Sequence, residues 1–428
     1  MHSKGEKKIW EETMNDRLSK DNILADMRAS KKPLVIFGAS TVGQAIQELC
    51  VEEGIEVSYY CDNKNYKMNR AYNGLEVINP QRLKDVVGDA AFIIVAADIG
   101  DVVNQLATMS YSDWYPGGLL LEGFDYQSSN IDESEAFVQY VIGACRNCHE
   151  AYLSKDRIFM RSVDLVLTER CSLKCKDCSN LMQYYEHPVN YELDQMQQSV
   201  DNLMSLVDGI QEFRVIGGEP LVNKKFHLVV RQLINEPDIE RIVIYTNGTI
   251  APPDYKLELM KSDKVMVLIT DYGDLSRNKD KLMADLERHN ISFHIDKAKG
   301  WTDCSSIQQH SRSEKQQEQI FTECCAKGLI TISNGNLYRC PFSANAAQLH
   351  AIPDEPSDYL PLENIHDIDT DQARLLMRTF LNEKKFLKVC DFCSGRPLDA
   401  TEIPAGLQTR KALEYEHYST EAEAIRIV

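Results

Sequence analysis

A chain of 428 residues is long enough for two or three domains with cores of their own. Hydrophobic residues make up 43% and charged residues 26%, an ordinary soluble balance, and the net charge of −18 disfavours nucleic acid as a partner. No stretch approaches the ~18–20 apolar residues of a membrane span and no apolar signal-peptide core follows Met1, so a cytoplasmic protein is expected, in which 13 cysteines point to metal or redox work rather than disulfides.

Residues 1–30 are polar and are expected to be a helical segment. The next stretch predicts a strand from Pro33, a glycine turn and a helix from Gln44 to Glu53. Further strands are expected at Glu56–Cys61, ending at Asp62-Asn63, and at Ala91–Ala97, which leads into another helix, and the alternation of strands and helices predicts a parallel sheet over 31–130. Gly38 and Gly43 match the outer glycines of Gly-x-Gly-x-x-Gly, and Asp62 follows the second strand where Rossmann folds bind ribose. Ser40 replaces the middle glycine, which disfavours a dinucleotide pyrophosphate. The segment resembles the small Rossmann-like domain in front of some sugar-processing enzymes. In bacterial acyltransferases acting on nucleotide-activated sugars, a similar glycine turn contacts the nucleotide. The resemblance implies nucleotide or nucleotide-sugar binding at Gly38, Gly43 and Asp62, with a ligand-free scaffold as the alternative.

A connecting helix is expected over 131–159. Cys145-Arg-Asn-Cys148-His149 formally matches a haem-attachment motif. Without a signal peptide, two cysteines one helical turn apart read better as small core hydrophobes.

An apolar strand, Val163–Thr168, then leads into Cys171-Ser-Leu-Lys-Cys175-Lys-Asp-Cys178. Three thiolates in one loop hold three irons of a 4Fe–4S cluster and leave the fourth iron open. Structural zinc would want a fourth ligand nearby. After a further strand comes Gly217-Gly218-Glu219-Pro220. Together these motifs resemble the radical S-adenosylmethionine (SAM) enzymes. The resemblance implies that SAM chelates the open iron and that Gly217–Pro220 receives its amino group. The aromatic residue usual before the third cysteine is here Asp177.

Strands and helices alternate from 160 to 300, as in that family's partial (β/α)6 barrel, whose chemistry gathers at the C-terminal ends of strands. Thr246, Asn247, Thr270, Asp271, Tyr272 and His294 all fall at or near such ends. Asn247 is a candidate SAM contact, along with Thr246 and Thr270. Asp271 and Tyr272 are candidates to bind a hydroxyl or take its proton, with His294 as an alternative.

From 301 to 428 the pattern changes. Cys325 and Cys340 bracket a hairpin with Asn334-Gly335 at its turn, and Cys390-Asp-Phe-Cys393 follows much later. Four cysteines complete a ligand set. The spacing resembles the twitch domain, a shortened SPASM-like module that carries one auxiliary cluster. Cys325 is preferred over Cys324 because Gly328 lies three positions on, and zinc is the alternative occupant. Cys304 is a candidate for a role towards substrate.

The expected fold class is α/β, with an N-terminal Rossmann-like parallel sheet, a partial (β/α)6 radical SAM barrel and a small C-terminal auxiliary-cluster domain. The resemblance implies two 4Fe–4S clusters and SAM, a flavodoxin- or ferredoxin-type reductant, and a 5′-deoxyadenosyl radical that removes hydrogen from an unactivated carbon. The auxiliary cluster would accept the substrate's electron. Twitch-bearing relatives include dehydrogenases of aminocyclitols, so oxidation or epimerisation of a sugar, cyclitol or nucleotide-linked sugar is expected. A peptide-modifying maturase and a non-catalytic redox sensor are the alternatives.

Overall fold

The computed structural model describes residues 18–64, 71–154, 156–397 and 400–418. The first part of the expected helical segment therefore lies outside the described residues. The chain divides into two units, Met1–Arg161 and Ser162–Val428.

The first unit is built on strands β1 (Leu34–Phe37), β2 (Tyr59–Cys61), β3 (Ala71–Tyr72), β4 (Leu75–Ile78), β5 (Ala91–Ile94) and β6 (Trp114–Pro116). They form one sheet in the order β3-β4-β2-β1-β5-β6, parallel except for the β3–β4 hairpin. The apolar runs in β1 and β5 are buried throughout because the sheet is covered on both faces. Alternation sends Leu34, Ile36, Ala91 and Ile93 into one core with Val42, Ala45 and Ile46 of the helix Thr41–Glu52. Val35, Phe37, Phe92 and Ile94 enter the other core with Ile99, Val102 and Leu106 of the helix Ile99–Thr108. The sheet is thus doubly wound, as expected.

The second unit has β7 (Phe159–Val166, which begins at the unit boundary), β8 (Gly209–Ile216), β9 (Ile239–Thr246), β10 (Val265–Asp271), β11 (Ser292–Lys297), β12 (Trp301–Thr302), β13 (Ile330–Ser333), β14 (Asn336–Tyr338), β15 (Tyr359–Pro361) and β16 (Glu402–Ile403). Eight of these form a largely parallel sheet in the order β11-β10-β9-β8-β7-β13-β14-β15. The expected hairpin is present, and Asn334 and Gly335 both have positive φ, the conformation of its two-residue turn. It does not stand apart in a separate sheet. Its first strand lies parallel to β7, with Ile330 beside Val163 and Ile332 beside Leu165, so the segments 160–300 and 301–428 share one sheet. The helix Thr370–Asn382 was not anticipated, although Asp369 caps it and Ala373, Met377 and Phe380 give it a buried stripe.

Candidate functional site

Gly217 and Gly218 end β8 against the cysteine loop. The Gly218 N–H donates to the Thr168 carbonyl and the Glu219 N–H to that of Arg170, both at 2.9 Å. A methyl group on Gly217, which has φ +154°, would sit 2.5 Å from the Thr168 oxygen. One on Gly218 would sit 2.4 Å from the Arg170 oxygen and 2.8 Å from Cys171 Cβ. Real Cβ contacts do not come this close, so the glycine pair is what lets the loop of Cys171, Cys175 and Cys178 lie on the strand end.

The Glu219 carboxylate is fully buried behind this turn. It accepts the Thr246 hydroxyl and the Asn247 N–H, both at 2.8 Å, and the Leu221 N–H at 3.2 Å. Burial pushes its pKa up to about 7, and the Asn247 and Thr246 bonds pull against that rise. Asn247 carries the link onward: its Nδ2 donates to Ser172 Oγ at 3.1 Å and points at Cys171 Sγ at 3.7 Å, while its Oδ1 accepts from Thr249. The Ser276 hydroxyl joins β10 to the same network through the Asn247 carbonyl at 2.7 Å and the Tyr272 N–H at 2.9 Å. Pro220 opens the 3₁₀ turn Pro220–Val222 that follows.

One neighbour of the loop had no local signal. The segment 406–409 returns from the far end of the chain and lies along it. Cys175 and Gln408 form an antiparallel bridge. The Lys176 N–H donates to the Leu407 carbonyl at 2.6 Å and the Thr409 N–H to that of Lys174 at 2.7 Å. Gln408 Nε2 donates to Cys175 Sγ at 3.1 Å. Gly406 stands against Tyr272, where a methyl group would lie 2.8 Å from the ring.

Parallel register places Arg214, Val243 and Met266 on one face of the sheet, with Tyr245, Leu268 and His294 beyond them and Thr270 beside Asp296. The opposite face carries Phe213, Val215, Ile242, Ile244, Val267 and Ile269, all buried. Arg214 Nε donates to the buried Asp164 carboxylate at 2.5 Å, and burial pushes Asp164 up to about 6 against the pull of Arg214. His294 is exposed and pairs with Asp296 at 3.3 Å.

Both candidate acid–base residues, Asp271 and Tyr272, lie at the end of β10. Asp271 receives Lys279 Nζ at 2.6 Å and the Gly273 N–H at 2.8 Å. The Lys279 bond is the main reason its carboxyl is held below the ordinary range. It closes the end of β10. Burial, then the thiols of Cys175, Cys178 and Cys171, push the Tyr272 phenol far up.

The second cysteine set lines a cavity with Cys324, Cys340, Cys390 and Cys393 in its wall, together with Cys304 and apolar Phe321, Phe342, Leu387 and Val389. Cys324 lines it and Cys325 does not; Cys325 is exposed, its N–H bound to the Arg396 carbonyl at 2.8 Å. Sequence spacing from Gly328 favours Cys325, whereas the cavity wall takes Cys324, the C-cap of the helix Glu314–Glu323. Cys304 is buried in the wall of this same cavity.

Both sets fit iron–sulfur clusters in donor chemistry. Burial pushes Cys178 up to about 11 and Cys390 and Cys393 up to about 12, so thiolates there need a cationic partner such as iron. Arg396 Nε is buried in the second wall and finds no hydrogen-bond partner among the described residues, which suits an anionic occupant. Among the described residues no three His, Cys, Asp or Glu side chains converge as ligands of a single metal ion.

In the first unit Asp62 faces inward. Its carboxylate accepts the Ala39 N–H at 3.0 Å and the Lys64 N–H at 2.9 Å, and so braces the glycine turn. Ser40 caps the helix Thr41–Glu52 by accepting the Gly43 N–H. Gly43 is explained by packing, since a methyl group there would meet the Gly38 oxygen at 2.3 Å. Cys145 is buried, and His149 is held between the Gly118 N–H at 3.1 Å and the Ala96 carbonyl at 2.9 Å. No helix among the described residues is long and apolar enough to cross a membrane.

Comparison with known proteins agrees with the first site. Residues 165–274 match the model of the radical SAM superfamily. The GTP 3',8-cyclase of Syntrophomonas wolfei subsp. wolfei is 27% identical over 154 residues, covering 32% of this chain and 46% of that protein. That of Alkaliphilus metalliredigens is 31% identical over 140 residues, covering 32% and 36%. The probable GTP 3',8-cyclase of Methanococcus maripaludis is 25% identical over 268 residues, covering 60% and 83%. The chain thus spans less than half the length of the first two relatives. Among solved structures, BtrN in complex with AdoMet and 2-DOIA is 16% identical at a TM-score of 0.37, covering 60% of this chain and 99% of that one. Native anSMEcpe with bound AdoMet is 10% identical at a TM-score of 0.35, covering 53% and 82%. These two likenesses are too loose to carry an argument. The family's chemistry rests on SAM and a 4Fe–4S cluster, and the segment of this chain that matches its model contains Cys171, Cys175, Cys178 and Gly217–Pro220.

Proposed function

We propose that the chain is a radical SAM oxidoreductase that converts a secondary alcohol of a sugar or cyclitol to a ketone. The observation that carries this reading is the second cavity: four thiols with apolar walls and an unpaired arginine nitrogen. It shares one hydrophobic core with the first cysteine loop, because Cys171, Cys178, Cys340 and Cys393 all pack against the cluster of Leu181, Tyr184, Phe342 and Cys390. When bound, SAM and the first cluster supply hydrogen-atom abstraction, and a second cluster held by Cys324, Cys340, Cys390 and Cys393 supplies a one-electron acceptor.

The net change takes one hydrogen atom from the carbinol carbon, and one proton and one electron as its C–O bond becomes C=O. The chain's own residues do the placing. Gly217 and Gly218 seat the cysteine loop, and Glu219, Thr246 and Asn247 lock the neighbouring strand end to it. Arg214, Tyr245, Thr270 and His294 give the sheet face polar groups suited to a hydroxyl-rich substrate. Asp62 and Ser40 already occupy donors of the first unit's glycine turn, which favours a free sugar or cyclitol over a nucleotide-linked one.

The test is anaerobic incubation of the reconstituted chain with SAM, a flavodoxin- or ferredoxin-type reductant and a panel of sugars, cyclitols, nucleotide sugars and peptides, followed by mass spectrometry. The expected result is 5′-deoxyadenosine together with a product two mass units lighter than a sugar or cyclitol. A product of unchanged mass would mean epimerisation. Turnover of peptides alone would replace this reading with a maturase.

A further inference from the structure

We infer that Gln408 is a positioning residue that sets the reduction potential of the first cluster by donating a hydrogen bond to the sulfur of Cys175. The inference rests on the reading of Cys171, Cys175 and Cys178 as cluster ligands. Gln408 lies 233 residues from Cys175, so no local motif links the two.

The amide's orientation is fixed by its partners. Gln408 Oε1 accepts the Lys174 N–H at 2.8 Å. That leaves both hydrogens of Nε2 for acceptors, and they go to Cys175 Sγ at 3.1 Å and to the Gly406 carbonyl at 2.9 Å. A flipped amide would place an oxygen against both the sulfur and the carbonyl and would lose all three bonds. The backbone holds the side chain in place from both directions, through the Cys175–Gln408 bridge and the bonds Lys176 N–H to Leu407 and Thr409 N–H to Lys174.

A donor aimed at a ligating sulfur stabilises the more negative, reduced form of a cluster more than the oxidised form, and hydrogen bonds to the sulfurs are among the factors that set these potentials. The three thiols differ in this respect, and Cys178 takes the backbone N–H groups of Asn180 and Met182 from its own loop. Cys171 faces the Leu173 N–H at 3.4 Å and the longer Asn247 contact at 3.7 Å. Cys175 receives a full side-chain donor from outside its own loop. The C-terminal strap is thus part of the first site's electronic environment as well as a cover over it.

The experiment is an anaerobic redox titration of the full chain, following the paramagnetic signal of the reduced first cluster, identified as the signal lost in Cys171→Ala. Two variants are compared. Gln408→Leu removes donor and acceptor. Gln408→Glu keeps the acceptor for the Lys174 N–H, and with it the hold on the strap, while replacing the donor with a negative charge. Both should lower the potential, Gln408→Glu further. At a fixed applied potential, Gln408→Leu should cut the reduced-to-oxidised ratio about tenfold, equal to about 59 mV for a one-electron couple. A variant that keeps the signal at the unchanged potential overturns the assignment, and if Gln408→Leu does not assemble, Gln408→Glu decides. Absence of a Cys171-dependent signal in the unaltered chain is a different result. It would remove the first-cluster reading itself.

Discussion

The two units use the same local device, a strand running into glycines, for opposite ends. After β1, the corner closes on itself: Asp62 takes the Ala39 N–H, Ser40 takes the Gly43 N–H, and nearby His149 has a partner on each ring nitrogen. After β8, the corner is built around something else. Gly217 and Gly218 leave room for a loop of three thiols, and the neighbouring second set surrounds a cavity with Arg396 Nε unpaired. A buried polar group left without a partner costs about 1–3 kcal/mol. Arg396 Nε, without a partner among the described residues and set in a wall with four cysteines, suits an occupant there. Glycine content or a strand–turn–helix rhythm would not have separated the two corners.

The largest expected effect tests the open side. Cys324→Ala should abolish the second cluster, lowering iron from about eight to about four per chain. Cys325→Ala, one residue away and exposed, should leave iron content unchanged. Cys390→Ala should behave as Cys324→Ala does, and it should still cleave SAM while giving no oxidised product. Iron analysis and 5′-deoxyadenosine yield read these outcomes. Equal iron loss in Cys324→Ala and Cys325→Ala would remove the distinction drawn from the cavity wall.

The next test sets the two corners against each other. Gly218→Ala forces a methyl group against the Arg170 carbonyl and Cys171, so it should lose the first cluster and SAM cleavage while the second cluster remains. Gly43→Ala forces one against the Gly38 carbonyl. It should destabilise the first unit, by about 1–3 kcal/mol on the scale of overpacked cores, and leave iron content alone. Urea unfolding and iron analysis of both variants separate these expectations. Iron loss in Gly43→Ala would break the contrast.

Much of this was legible because it is local. The cysteine loop, Gly217–Pro220 and the hairpin turn at Asn334-Gly335 are spelled out within a few residues, and strands alternating with helices over 31–130 predict the parallel sheet. What was not legible depends on contacts between distant segments. Gln408 meets Cys175 only after the chain has returned across the whole second unit. Cys324 and Cys325 are neighbours with equivalent spacing, and the end of a helix decides which faces the cavity. Asp62 stands where a ribose-binding carboxylate stands in Rossmann folds, but its direction depends on the Ala39 N–H across the turn.

His149 sharpens the closed side. It is fully buried, and burial lowers its pKa from 6.5 to about 4, opposed by the Ala96 carbonyl. The unfolded chain therefore binds more protons than the folded one between those values. Its contribution is fully present above pH 6.5 and is lost as the pH falls through about 4, a change of about 3 kcal/mol. His149→Ala should flatten that acid limb in pH-dependent unfolding. It should also destabilise the first unit at pH 7.5, since the Gly118 N–H and the Ala96 carbonyl lose their partner. An unchanged acid limb would mean that another group titrates there.

The smallest expected effect concerns Asp271, the strand-end carboxylate that by position alone suits a general base. Its oxygens are already engaged by Lys279 Nζ and the Gly273 N–H. Both the lysine and the backbone bond favour the charged form, so the carboxylate is ionised throughout the neutral range and binds protons poorly. Asp271→Asn keeps an oxygen for the Gly273 N–H and loses only the ion pair. Partly exposed pairs contribute little, so the rate of product formation should stay within about threefold. Removing a true acid–base group costs about a hundredfold or more. The single-turnover rate of the reconstituted variant decides between the two. A hundredfold loss with both clusters intact would return Asp271 to the chemistry and show that the closed logic of the first unit extends less far into the second than its hydrogen bonds imply.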